Sequence, residues 1–152
     1  MNDIHSSSDK KNKIVLVDDN EDLAAITSLL LKVLGFEVAF CHDGRKCLEL
    51  VESTNPDIVI LDIDMPGMDG YQVCNLLRAH EIGRNLPILA YTARDEYSFN
   101  QENKAHCFDN YMQKGIEHTK MADIIWKFRR NRASIPRNLS QRSLGMEEFK
   151  IS

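Results

Sequence analysis

Short apolar runs alternate with longer amphipathic stretches from residue 14 to about residue 130. Ile14-Val15-Leu16-Val17 is rich in β-branched residues and ends in two aspartates, which predicts a buried strand. Asn20 is placed to cap a helix, and the acids Glu21 and Asp22 suit its positive end. Leu23, Ile26, Thr27, Leu30 and Leu34 then recur at helical spacing before a stop at Gly35. Phe36, Val38 and Phe40 alternate, which predicts a second strand nearer a sheet edge. Asp43 opens a second helix through Cys47, Leu48 and Val51, ended by Asn55-Pro56. Ile58-Val59-Ile60-Leu61 is continuously apolar, as in a strand covered on both faces. A third helix starts near Asp69 and carries Val73, Leu76 and Leu77. Residues 87–91 predict a fourth strand closed by Thr92, residues 95–105 a weaker helix, and residues 107–112 a fifth strand ending near Lys114. The last helix, about His118 to Arg132, places Met121, Ile124, Ile125 and Phe128 on one face.

Five strand-then-helix units imply an α/β fold, a doubly wound parallel sheet with helices on both faces. Such sheets bind ligands outside the carboxyl ends of their strands. The residues that close the strands are Asp18-Asp19, Asp62 and Asp64, Thr92 and Lys114. Carboxylates a few ångströms apart repel by several kcal/mol at intermediate dielectric, so the rim needs protons or a cation. An all-oxygen donor set without His or Cys selects a hard ion, Mg²⁺ first. An ion, an ammonium and a hydroxyl around one further carboxylate also suit phosphoryl transfer, with Asp62 on the central strand as nucleophile. Singly, each residue has a plainer reading: Asp18, Asp19, Asp64 and Asp69 as turn or helix caps, Thr92 as a strand-end cap, Lys114 as a solvated lysine. Their joint occurrence at four strand ends favours the site.

Four separated motifs carry a family resemblance. They are Ile14-Val15-Leu16-Val17-Asp18-Asp19, Asp62-Ile63-Asp64-Met65-Pro66-Gly67-Met68-Asp69-Gly70, Leu89-Ala90-Tyr91-Thr92-Ala93 and Tyr111-Met112-Gln113-Lys114. In order and spacing the chain resembles the receiver (phosphoacceptor) domain of two-component response regulators, over about residues 13–130. The resemblance implies a flavodoxin-like, five-stranded sheet of order 2-1-3-4-5. It implies that Asp62 accepts a phosphoryl group from a histidine kinase or histidine phosphotransfer protein. Asp18, Asp19, Asp62 and the backbone carbonyl of Asp64 would hold Mg²⁺, and Lys114 would pair with the phosphoryl group. Thr92 and Tyr111 would form a switch, small Ala93 leaving room for the Thr92 hydroxyl to approach. The fourth helix, fifth strand and fifth helix would signal to a downstream protein or a second copy. Such a domain is a phosphoacceptor rather than an enzyme.

Two positions invite separate expectations. The family usually has a proline after the lysine, in a cis peptide; here Gly115 follows Lys114, which predicts a trans or mobile loop and a less firmly held lysine. Asp64 and Arg94 lie two positions past Asp62 and Thr92, where an acid and a base can tune the access of water to an acyl phosphate.

Charge and composition sharpen this picture at the chain ends. Residues 1–126 carry 12 basic and 21 acidic residues, a balance of −9, while residues 127–152 carry seven basic and two acidic, a balance of +5. An acidic body argues against nucleic acid as its partner. Domain boundaries fall at a polar extension over 1–12, a receiver domain over 13–132 and a flexible tail over 133–152, too short for a DNA-binding domain. Cys41, Cys47, Cys74 and Cys107 form no C-x-x-C pair and read as reduced thiols. With no secretory signal and no 20-residue apolar segment, the reading is a cytoplasmic protein without a membrane anchor. The main rival is a haloacid-dehalogenase-like phosphohydrolase using Asp62 and Asp64, although that family places its Asp-x-Asp strand first. A histidine phosphotransfer module, suggested by His42, His80, His106 and His118, is excluded by the strand runs. No Gly-rich loop supports nucleotide binding.

Overall fold

Burial on both faces selects extended structure for the β-branched runs, and each of them becomes a strand. A computed structural model describes residues 12–101 and 105–134. The strands are β1 (Lys13–Val17), β2 (Glu37–Cys41), β3 (Ile58–Leu61), β4 (Ile88–Thr92) and β5 (Asn110–Gln113). All pair in parallel, in the order β2-β1-β3-β4-β5. The longer helices are α1 (Glu21–Val33), α2 (Cys47–Thr54), α3 (Gly70–Ala79), α4 (Glu96–Gln101) and α5 (His118–Ser134), with one further short helical turn, Glu81–Arg84, directly after α3.

Alternation along the central strands divides the core in two. Val15, Val17, Val59, Leu61 and Ala90 pack with Val51 of α2, Val73 and Leu77 of α3 and Phe99 of α4. Ile14, Leu16, Ile58, Ile60 and Leu89 pack with Leu31 of α1 and with Met121 and Ile125 of α5. Each fully buried side chain of this kind contributes roughly 1.5–3 kcal/mol of transfer free energy. The sheet is therefore sandwiched, as the sequence pattern requires.

Capping follows side-chain chemistry. The Asn20 carboxamide accepts from the Leu23 amide at 3.0 Å, and Asp69 and Gln72 form a reciprocal capping box at the start of α3. The first helix differs from expectation in its buried face. Ala24, Thr27, Ser28 and Leu31 face the sheet, while Ile26, Leu29 and Val33 stand exposed. Small residues let α1 approach the sheet closely, and that rotation moves Ile26 outward. The second helix starts later than expected, because Asp43 caps a 3₁₀ turn, Gly44–Lys46, and grips Arg45 through its own carboxylate.

Two further expectations are corrected near β5. Cys107 lies in a 3₁₀ turn (Ala105–Cys107) rather than in the strand, because its carbonyl is taken by Arg78 of α3. Cys74 and Cys107 are joined by a disulfide with Cα atoms 6.4 Å apart, whereas Cys41 and Cys47 are free thiols. The pairing escapes sequence inspection because α3 and the turn before β5 come together only in the fold. Residues 1–11 and 135–152, most of the expected extension and tail, lie outside the described residues. Among the described residues no helix is long and apolar enough to cross a membrane.

Candidate functional site

Strand register brings the site together. Val17, Leu61, Ala90 and Tyr111 are direct neighbours across the sheet. Asp18 and Asp62 therefore leave adjacent strands at one height, with Thr92 two residues beyond Ala90. Asp18 and Asp62 are buried, at 1% and 2% exposure, while Asp19 faces solvent. One carboxylate oxygen from each of the three lies within 4.8 Å of the others. At that separation each pair of full charges repels by about 3–4 kcal/mol at an effective dielectric near 20.

Lys114 partly answers this repulsion. Its ammonium lies 2.9 Å from Asp18 Oδ2 and 3.1 Å from Asp62 Oδ2. Burial lowers the affinity of that ammonium for its proton, but the close contact with Asp18 and the attraction of both acids outweigh it and raise its pKa. The lysine also sits 5.7 Å from the centre of the Tyr91 ring, within cation–π range. The described peptide bonds are all trans, including that to Gly115, whose φ is +99°. Proline, fixed near φ −65°, cannot adopt that conformation, so the glycine sets a different loop. The loop is trans as expected, but the lysine is held at two carboxylates rather than loosely.

One ammonium does not neutralise three acids. Burial pushes the Asp62 carboxyl up to about 7; the Lys114 charge opposes the shift and the Asp18 charge adds to it. Asp18 is fixed through Oδ1, which accepts from the Asn20 amide at 3.0 Å. Its Oδ2 is buried without a well-directed hydrogen bond, facing the lysine. A buried, under-satisfied oxygen among all-oxygen donors fits a hard divalent cation such as Mg²⁺.

Around this centre the Thr92 hydroxyl, fully buried, donates to Asp64 Oδ2 at 3.3 Å and accepts from the Arg94 amide at 3.2 Å. Arg94 holds Asp64 with two contacts, Nη2–Oδ1 at 2.7 Å and Nε–Oδ2 at 3.2 Å. Asp64 is thus no turn cap, and the Arg94 guanidinium keeps its carboxyl below the usual range. Asp69, by contrast, is a helix cap. Tyr111 stacks on Phe99 at 5.0 Å, and its hydroxyl donates to the Arg94 carbonyl. Backbone packing braces the loop that carries Asp62, since a Cβ at Gly70 would come within 2.4 Å of the Asp62 carbonyl oxygen. The role of Tyr91 beneath the lysine was not foreseen; its only sequence signal is an aromatic ring immediately before Thr92.

The family model for the response regulator receiver domain matches residues 14–126. Response regulator MprA of Mycolicibacterium vanbaalenii is 38% identical over 102 residues, covering 67% of this chain and 43% of that protein. The chain thus spans less than half the length of this relative. The chemotaxis protein CheY4 of Vibrio cholerae superposes with a TM-score of 0.72 at 25% identity, over 78% of this chain and 99% of that one. The receiver domain of sensor histidine kinase PA1611 from Pseudomonas aeruginosa, with magnesium coordinated in its active-site cleft, gives a TM-score of 0.72 at 26% identity over 79% and 98%. A parallel sheet of this order, an acidic pocket at its carboxyl rim and a match over most of the chain agree: the protein belongs to the response regulator receiver domain family.

Proposed function

We propose that Asp62 is the phosphoacceptor of this receiver domain, the domain itself spanning residues 13–132. The observation that carries this reading is the placement of Asp62 between two other carboxylates and the Lys114 ammonium, in a pocket fitted to a cation. One Asp62 oxygen attacks the phosphorus of a phosphohistidine; the P–N bond breaks, and the departing imidazole keeps the N–P electron pair and takes a proton. Asp18, Asp19, Asp62 and the Asp64 carbonyl would hold Mg²⁺, which supplies charge compensation for the phosphoryl oxygens when bound. Lys114 pairs with a phosphoryl oxygen. The Thr92 hydroxyl leaves Asp64 to donate to the phosphoryl group, and Tyr111 follows into the space vacated.

The phosphodonor is a histidine kinase or a histidine phosphotransfer protein. Signalling proceeds through α4, β5 and α5 to a downstream protein or a second copy of the chain, by a shift of population between two switch arrangements. The compartment this requires is the cytoplasm. A phosphohydrolase of the haloacid-dehalogenase type would need Asp64 as a proton donor. Its clamp by Arg94 keeps it ionised, which removes that role. The test is phosphorylation of the purified chain by a small acyl phosphate with Mg²⁺. Asp62→Asn should abolish incorporation, and a variant that is still phosphorylated at wild-type level would overturn the assignment.

A further inference from the structure

Outside the acidic rim, one pair of reactive side chains has no part in phosphoryl transfer. Cys74 of α3 and Cys107 of the turn before β5 are 33 positions apart in sequence and bonded in space. We propose that this pair is a reversible redox site, opening to two thiols and closing to a disulfide that staples α3 to the segment between α4 and β5.

Three observations support reversibility. Arg78 stands one helical turn after Cys74 and donates through Nη2 to the Cys107 carbonyl at 2.9 Å and to Asp109 at 3.0 Å. It also donates to the Leu86 carbonyl at 2.6 Å. The two sulfurs are therefore held together by contacts that do not depend on the bond, so the open pair remains poised to close. The open state is also accommodated, because the Cys107 carbonyl lies 3.3 Å from Cys74 Sγ and can accept from its thiol. Finally, Cys74 is fully buried while Cys107 is half-buried, so Cys107 is the more accessible partner for exchange. Burial pushes the Cys47 thiol up to about 12, and that of Cys41 upward as well, so both are poor thiolates.

Closure is written with a low-molecular-weight disulfide such as oxidised glutathione. A Cys107 thiolate attacks it, displacing one glutathione thiolate; Cys74 then attacks the mixed disulfide and displaces the second. The two cysteine sulfurs are oxidised, one external disulfide is reduced to two thiols, and the protons go to the departing thiolates.

The consequence reaches the switch. Phe108 follows Cys107 and packs on Phe99 with ring centres 5.9 Å apart, and Phe99 stacks on Tyr111. The bond closes a loop that contains Thr92 and α4, so it fixes the segment whose rearrangement a phosphorylated receiver needs. This part rests on the phosphoacceptor reading. The oxidised chain is expected to take phosphate on Asp62 but to move Tyr111 less than the reduced chain.

The test incubates the full chain with oxidised glutathione or with dithiothreitol, alkylates it under denaturing conditions and maps the peptides by mass spectrometry. Oxidation should link Cys74 to Cys107 and leave Cys41 and Cys47 alkylated, with full reversal by dithiothreitol. Hydrogen exchange around residues 105–111 should slow several-fold on oxidation, and Cys107→Ser should show neither effect. Cys74→Ala serves as a second variant. Alkylation of all four cysteines after oxidant, or linkage of a different pair, would overturn the proposal. Fluorotyrosine incorporation, with the ¹⁹F resonance of Tyr111 assigned by its loss in Tyr111→Phe, then reports the switch on acyl phosphate addition. An equal response in both redox states removes the link to signalling. Absence of phosphorylation in the reduced chain refutes the Asp62 reading instead and leaves the thiol mapping standing.

Discussion

At the scale of single residues, Asp62 carries an electrostatic burden that the proposed phosphoacceptor role requires. Its carboxyl is raised to about 7 by burial, so the folded chain binds a proton more tightly than the unfolded chain does. Between about pH 4 and pH 7 the unfolded state gives up that proton first, and stability without a divalent ion falls as pH rises through this window. Asp62→Asn should flatten that decline and raise the melting temperature of the metal-free protein at pH 8, read by calorimetry with chelator present. A melting temperature below wild type would show that the carboxylate is not destabilising. Asp64 acts differently, because Arg94 and Thr92 tie it above the pocket. Asp64→Ala should change the lifetime of the phosphorylated form several-fold while leaving Mg²⁺ affinity nearly intact, measured by loss of label and by ion titration. An unchanged lifetime would argue that the clamp does not control water.

At the scale of elements, the site depends on how closely α3 seats behind the loop that carries Asp62. A methyl at Gly70 would collide with backbone atoms, the Asp62 carbonyl oxygen at 2.4 Å and the Ile63 Cα at 2.6 Å. Backbone cannot rotate aside as a long side chain does. Gly70→Ala should therefore cost about 1–3 kcal/mol in denaturant unfolding and slow phosphorylation, with no effect on stability as the contrary result. The elements legible in the sequence were those with one dominant cause. Ile58 to Leu61 is continuously apolar, as a doubly covered strand requires, and Asn20 and Asp69 stand with capping side chains directly before helical patterns. The facing of α1 was not legible, because Ile26 and Leu29 are more apolar than Thr27 and Ser28, yet close approach to the sheet favours the smaller pair. The start of β5 was hidden because Arg78, far off in sequence, takes the Cys107 carbonyl. The Asp64–Arg94 pair was readable from spacing, whereas the Tyr91 ring beneath Lys114 depended on the tertiary path of a loop.

At the scale of the whole molecule, the acidic excess found in the first 126 residues acquires a partial location. Asp18, Asp19 and Asp62 concentrate charge in one pocket, where a bound cation would compensate it. An ion that binds only the folded state stabilises it by about 2.7 kcal/mol at a hundredfold excess over its dissociation constant. For a chain of this size that is a rise of about 5–10 °C in melting temperature at pH 8. Asp19→Asn, at an exposed position, should remove most of the rise without lowering the metal-free melting point. An undiminished rise would move the ion away from Asp19.

The Lys114 bridge also orders events along the growing polypeptide. Its ammonium reaches Asp62 across 52 positions of sequence and comes from the residue that follows the strand made last. A ribosome delivers the acids of β1 and β3 long before their basic partner. An emerging chain that has paired its first three strands holds two inward carboxylates with no protein cation to meet them. Docking of the final strand thus brings a counter-charge behind it as well as a sheet edge, and the acidic pocket is completed only when the carboxyl-terminal third has docked.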